Sequence, residues 1–547
     1  MKKTLVFTLS ILFSFNIVAQ DAATFRQWGD EAMNVIERRM KNTNYSYLYN
    51  EGANISNPAY AWGVGVLFKA MIYGGKIGQA ERMYNQFHEN YYWEDNTGLG
   101  GYTAGANERR IGRYYDDNAW IGKDLMDLYD VVTAHDRKAL YLERAKMILT
   151  FCMSGECPSG GIYFNELSGT DPSWDEYEYD VSSTCATAPT MCLALRIHKV
   201  AGTDESEYLA QGKKLYAHEK EKMTWGIGPG FRGYENAVIM QGALLLYEIT
   251  GEKQYLDDAY TLAHAMVARY VDWTTGRLDE TGKWGGHDMT DAFVHMYKID
   301  GNKYWLDVVA GYLVFLRENC LDRNGLYPEY WNNKDQNRPL ELLDQASAAS
   351  AFYKLALAGG GEAKKTPVAI FESKNYNNET ASGWSVGLNA GEYTRNDMIA
   401  LGTVNNRFKF SPQLSSVYIQ EGYKVTLYKS DNFKGEELVL TSSTTDLGNW
   451  DNRTYSLKVE LLSNSVKEYG KTEIKVYPTL FNNEITISNI PSNSSFSLYN
   501  VTGMLVLTET IADFNATINA AELPGGIYIL RIKSADKDLQ VFKLQKK

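Results

Sequence analysis

Residues 117–133, DNAWIGKDLMDLYDVVT, run almost directly into 137–154, RKALYLERAKMILTFCMS, and the contrast between the two decides the fold. Apolar side chains recur three and four apart in both, which is helical spacing. The first segment is apolar on most faces and must be enclosed, whereas the second keeps a polar face for water. The enclosed kind recurs at 59–74 (AYAWGVGVLFKAMIYG), 184–201, 236–250, 288–300 and 343–358. The amphipathic kind recurs at 24–40, 79–92, 207–223, 253–271 and 303–319. The enclosed segments start 52 to 67 residues apart, a period that predicts repeated helix hairpins. Six inner and six outer helices make an all-α (α/α)6 barrel over about 22–358. Loops preceding the inner helices then gather at one end: Tyr114 to Asp117, Gly160 to Tyr163, Trp284 to Asp288 and Tyr327 to Trp331.

At 547 residues the chain exceeds one compact core, and several domains are expected. Its 39 Tyr and 12 Trp suit sugar faces as well as packing. A net charge of -12 excludes nucleic acid and anionic membrane as partners, since both demand clustered Lys and Arg; a neutral substrate fits. Met1-Lys2-Lys3, then LVFTLSILFSFNIVA ending at Ala19, reads as a signal peptide over 1–19. No later stretch is long and apolar enough for a stable membrane span, so a secreted or cell-surface protein is expected. Five cysteines, Cys152, Cys157, Cys185, Cys192 and Cys320, cannot all pair within one chain, and no disulfide is assigned. Two CxxC pairs and HExxH are both missing, so no metal site is expected.

Beyond Ala358-Gly359-Gly360-Gly361, read as a flexible glycine run, the pattern alternates with the period of strands. Two small all-β domains are expected, at 366–462 and 472–547. In the first, Tyr428, Phe433 and Gly435 within GYKVTLYKSDNFKGEELVL resemble the aromatic corner of a βγ-crystallin Greek-key domain; Phe371 and Tyr376 repeat it, with Asn378 where glycine is expected. That resemblance raises calcium as a ligand. The pattern for it is incomplete, because Asn405-Asn406 stands apart from Ser415-Ser416 and Asp451-Asn452 is followed by Tyr455-Ser456. In the second domain VYPTLFNNEITI, SLYNVTGMLV and LPGGIYILRI, with terminal Lys546-Lys547, resemble the C-terminal sorting domain of the Bacteroidetes type IX secretion system, a β-sandwich. The secretion machinery is then a partner. A carbohydrate-binding β-sandwich is the alternative.

The chemistry centres on Tyr114-Tyr115-Asp116-Asp117-Asn118-Ala119-Trp120, where a loop enters an inner helix. An Asp there caps the helix and suits its dipole, but one suffices. Glycoside hydrolysis needs two carboxyl groups. Neighbouring Cα atoms are about 3.8 Å apart, so carboxyls about 5 Å apart are within reach, which favours a retaining reaction. Like charges so close raise one pKa and keep one acid protonated.

YYDDNAWIGKDLMDLY, residues 114–129, resembles the family 76 glycoside hydrolases, endo-α-1,6-mannanases acting on fungal-type mannan. The resemblance covers roughly 22–358 and implies Asp116 as nucleophile and Asp117 as general acid/base, with no cofactor required and α-mannan or manno-oligosaccharide as substrate. GGIYFNE, Gly160 to Glu166, is similar to the family's Gly-Gly-aromatic loop, whereas Ser182-Ser183-Thr184-Cys185-Ala186-Thr187 departs from its Asn-rich segment. Trp62, Trp93, Tyr115, Tyr163, Trp284 and Trp331 are candidates for stacking on mannose, or for packing. Asn165, Asp288 and Asp344 are candidates for binding hydroxyls, or for capping helices. His287 reads as a lone loop histidine at the surface. Two other readings remain: a noncatalytic glycan-binding protein, and an (α/α)6 epimerase or lyase using His287 and Arg232.

Overall fold

The computed structural model describes residues 20–168, 182–201, 206–224, 233–273, 275–280, 285–332, 340–363, 366–377, 383–401, 413–462, 474–488, 494–501, 504–511, 515–534 and 537–547. The signal-peptide reading over 1–19, together with Arg232, Trp284, Asn378 and Asn405-Asn406, lies outside them. The chain divides into two compact units after Leu462.

Twelve helices of the first unit, counted among the described residues, alternate between outer and inner positions. The outer ones are α1 (Ala22–Arg39), α3 (Ile77–Tyr91), α5 (His135–Ser154), α7 (Ser206–Thr224), α9 (Lys253–Tyr270) and α11 (Tyr304–Phe315). The inner ones are α2 (Ala61–Tyr73), α4 (Tyr115–Val131), α6 (Thr184–Ala201), α8 (Gly233–Thr250), α10 (His287–Asp300) and α12 (Leu342–Leu357). Each inner helix packs on the next, α12 closes onto α2, and each outer helix lies against an inner neighbour. This is the expected (α/α)6 barrel.

The cause is visible in single helices. Every residue of α2 except Trp62 is buried, so it can only sit inside. Outer α3 buries Ala80, Met83, Tyr84, Phe87 and Tyr91, one stripe at helical spacing. Each such large apolar side chain contributes about 2 kcal/mol when fully covered. Gly122 lets the inner ring tighten: a Cβ there would stand 2.5 Å from Leu193 Cδ2.

The run Gly360–Gly361 is not a free linker. It pairs antiparallel with Gln20–Asp21, and a Cβ on Gly361 would lie 2.4 Å from the Leu306 carbonyl oxygen. Glycine is needed there for close backbone approach rather than for flexibility. Asp21 then caps α1 by accepting the Thr24 N–H at 2.8 Å.

The rest of this unit is β. One sheet orders the strands Ser416–Ile419, Val368–Phe371 and Ser385–Leu388; the other orders Lys434–Leu440, Tyr423–Ser430, Ser456–Leu461 and Gly391–Tyr393. Ile370, Val386, Val417, Val425, Leu427 and Leu457 fill the core between them. The expected corner is present: the Tyr428 and Phe433 rings meet edge-on at 5.9 Å, and Gly435 takes φ +85°. Ser385 Oγ donates to the Val271 carbonyl at 3.3 Å, and Gly387 lies where a Cβ would strike the Trp273 ring, so this module is packed onto the end of α9.

The second unit is a small β-sandwich. A sheet of Lys475–Tyr477, Glu484–Ser488 and Asn515–Asn519 faces a five-stranded sheet whose centre is Gly526–Ser534. Phe481, Ile485, Phe496, Leu498, Ile518, Leu530 and Leu544 form its core.

Candidate active site

The start of α4 is fixed by buried polar groups that periodicity does not reveal. Asn118 accepts the Tyr102 N–H at 2.7 Å and donates to the Tyr102 and Tyr114 carbonyls at 2.9 and 2.7 Å. The preceding turn hangs on Arg113, which is fully buried. Its guanidinium donates to Glu166 at 2.6 and 2.9 Å, to Asp95 at 3.2 Å and to the Trp93 and Leu99 carbonyls at 2.8 Å. It also lies over the rings of Phe151 and Trp93 at 4.5 and 4.9 Å. A buried cation is tolerated only with such partners.

Asp116 and Asp117 occupy the first turn of α4, after Tyr114 at the N-cap. Asp116 Oδ1 accepts the Asp117 N–H at 2.8 Å, so part of the capping role is real. Among the described residues the Asp117 carboxyl takes no hydrogen bond, and no cation stands within ion-pair distance of either acid. Both are half-buried. Loss of water pushes the Asp116 carboxyl up to about 7 although that backbone N–H favours its charge. Asp117 rises well above the ordinary carboxylate range through the same loss of water, then through the charges of Asp116 and Glu51. Glu51, on the strand Asn50–Gly52, accepts the Tyr60 N–H at 2.7 Å. The arrangement holds one acid that keeps its proton beside one that gives it up first.

Several sequence-predicted binding residues face elsewhere. Tyr115 is buried against Phe151, ring centroids 4.9 Å apart, and Trp331 is buried beside Gly286 and Tyr312. Neither ring can stack on a sugar. Asn165 is buried, and its Oδ1 accepts the Leu167 and Ser168 N–H groups at 2.8 and 3.1 Å, a turn role. Trp93 lays one face on Arg113. Asp344 accepts the Glu341 N–H at 3.0 Å in a capping box, the role weighed for it from sequence. Trp62 and Tyr163 are half-buried. The well-exposed rings in the same loops are Tyr60 at 59%, Phe164 at 42% and Tyr330 at 40%. Each stands one or two positions from Trp62, Tyr163 or Trp331, a register that an irregular loop does not announce. Phe164 also accepts the Tyr115 N–H on its carbonyl at 3.0 Å and sets its ring 5.2 Å from Tyr114, beside the acid pair.

His287 and Asp288 are interior as well. His287 opens α10 and is buried, not a surface loop residue. Among the described residues His287, Asp288 and Asp291 come close enough together to hold a metal ion, but the Lys69 ammonium already stands among them, 3.1, 3.3 and 3.0 Å away. The cluster is an ion-pair network, and Asp288 serves Lys69 rather than a substrate hydroxyl. None of the five cysteines is in a disulfide, and Cys185 alone is half-buried.

Residues 28–282 match the family model for glycosyl hydrolase family 76, and residues 475–547 match that for the secretion system C-terminal sorting domain. A family 76 α-mannanase of Bacteroides thetaiotaomicron superposes with a TM-score of 0.53 at 23% identity, over 61% of this chain and 95% of that one. The development-specific protein S homolog of Myxococcus xanthus is 37% identical over 82 residues, 15% of this chain; the chain spans under half the length of that relative, 43%. A βγ-crystallin domain from Flavobacterium johnsoniae, 28% identical, aligns over 18% of this chain and 99% of its own, with a TM-score of 0.16. Barrel, paired acids and terminal sandwich agree with these matches: residues 28–282 form a glycosyl hydrolase family 76 domain, residues 475–547 a secretion system C-terminal sorting domain, and the module between them carries the βγ-crystallin-like corner of Tyr428, Phe433 and Gly435.

Proposed function

We propose that this protein hydrolyses α-1,6-mannosidic bonds of mannan with retention of configuration, after export guided by a signal peptide over 1–19 and the C-terminal sorting domain. The observation that carries the reading is the Asp116–Asp117 pair, half-buried, without a cation partner among the described residues, and ordered in acidity. The family 76 match over 28–282 supports the reaction class.

In the first step Asp117 donates its proton to the glycosidic oxygen as that bond breaks, and an Asp116 carboxylate oxygen bonds to the anomeric carbon from the opposite face. The departing chain leaves as a neutral alcohol and a glycosyl ester remains on Asp116. In the second step Asp117, now a carboxylate, takes a proton from water while the water oxygen attacks the anomeric carbon and frees Asp116. Both residues return to their starting protonation. Glu51 helps to hold the proton on Asp117. Tyr60, Phe164 and Tyr330 supply exposed rings for mannose faces.

Purified mature protein is incubated with linear α-1,6-mannan and, as a control, β-mannan. Short oligosaccharides from the α-1,6 polymer alone, absent with folded Asp116→Asn and Asp117→Asn variants, are expected. No release by the wild type, or undiminished release by both variants, would overturn the reading.

A further inference from the structure

Away from the acid pair, towards the C-terminal ends of the inner helices, a polar cavity of about 240 Å³ enters the barrel. Six cationic side chains and five carboxylates line it. Most are matched: Lys199 with Glu248 at 2.9 Å, Lys354 with Asp291 at 3.2 Å, Lys69 with Asp291 at 3.0 Å, and Arg196 with Asp127 and Asp130.

Lys123 and Lys298 have no ion pair among the described residues, and of the two only Lys123 is buried. It lies on α4 with 7% of its surface exposed, and among the described residues no carboxylate stands within ion-pair distance of it. Its Nζ meets Gln241 Oε1 at 3.4 Å and the face of Trp120 at 4.0 Å. An ammonium offers only hydrogens, so Gln241 must turn its oxygen towards Lys123. The Gln241 Nε2 is then left buried with no acceptor among the described residues. Asp124, the next residue, is buried and also lines the cavity. Burial raises its carboxyl well above the ordinary range despite Lys69 and Lys123, so it stands as a further proton donor rather than a counter-charge. Burial pushes the Lys123 ammonium below its ordinary value, and a negatively charged acceptor beside it and the Gln241 amide is what both groups lack.

We propose that this cavity binds a compact monovalent anion, of halide or nitrate size, held by the Lys123 ammonium and the Gln241 amide. The anion supplies the charge that the inner ring lacks at this point and accepts the orphaned donors.

Thermal unfolding of the full chain at fixed ionic strength, with sodium gluconate exchanged for chloride, bromide, nitrate or sulfate, tests this directly. At about 100 mM a rise of roughly 2 °C is expected with the three monovalent anions and not with sulfate. The rise should vanish in Lys123→Met and in the milder Gln241→Leu. Crystals of the wild type grown in bromide should show anomalous density beside Lys123 Nζ, a readout that needs no variant. Equal melting in all anions, a sulfate response matching chloride, a rise retained by both variants, or no bromide at Lys123 would each overturn the proposal and leave Lys123 as a neutral amine.

Discussion

Asp116 on α4 and Asp288 on α10 hold the same helical position, two residues beyond the N-cap, at the same end of the same ring, yet they are opposite acids. Burial pushes Asp288 up, but His287 and Lys69 outweigh it and its carboxyl ends below its ordinary value. Asp291, one turn on, is held lower still, because Lys354 and Lys69 overcome its burial. Around Asp116 and Asp117 no described cation does this, and both rise. The helix dipole is common to both places, so it does not decide the matter. A lysine within ion-pair distance does: Asp288 and Asp291 have one and act as struts, whereas Asp116 and Asp117, with none among the described residues, are left as proton donor and nucleophile.

The contrast can be broken from either side. The largest effect is expected on the unpaired acids: Asp116→Asn and Asp117→Asn should each lower kcat on mannan by about 10⁴-fold while unfolding stays cooperative, as steady-state rates and calorimetry would show. Next is Lys69→Met, which leaves Asp288 with His287 and Asp291 with Lys354 alone; urea titration at pH 7 should find a loss of about 3 kcal/mol. Because these carboxyls are depressed in the folded state, their contribution is present above the ordinary value of 3.8 and fades as pH falls below it. The gap between wild type and Lys69→Met should therefore narrow in acid. A constant gap would mean that Lys69 acts through packing.

Asn118→Ala should cost about 2 kcal/mol by leaving the Tyr102 groups unsatisfied, and should lower kcat more than it raises KM, since the acid pair loses its mounting rather than its substrate contacts. The last test is a pH dependence. A carboxyl raised to about 7 contributes stability that is full below 3.8 and is lost as pH rises through 7, because the unfolded chain ionises it first. Asp116→Asn escapes that loss. It should melt above the wild type at pH 8, with the difference closing as pH falls towards 4; a variant that melts lower at pH 8 would show that burial does not oppose the Asp116 charge.

The twelve helices were legible because enclosure and amphipathicity leave different periods; the Asp116-Asp117 pair stood out because a cap needs one acid and the chain supplies two, but its catalytic role rested on the resemblance to family 76. The loop aromatics were not. Trp331 and Tyr330, or Tyr163 and Phe164, are neighbours in irregular turns, where nothing periodic says which ring meets solvent. Arg113 and Asn118 were hidden for a related reason: polar residues in a loop and at a helix start read as surface until their partners, Glu166 and Tyr102, come from elsewhere in the chain. Lys69 did leave a signal, a lone lysine in the otherwise apolar helix α2, and a buried charge there requires an answering group.

The most direct test of the account is the anomeric configuration of the first product released from linear α-1,6-mannan, followed by proton NMR before mutarotation. Attack by Asp116 and then by water inverts the anomeric carbon twice, so the α-anomer should appear first and equilibrate with the β-anomer later. A first-formed β-anomer would mean a single displacement by water, and Asp116 would then not be the nucleophile.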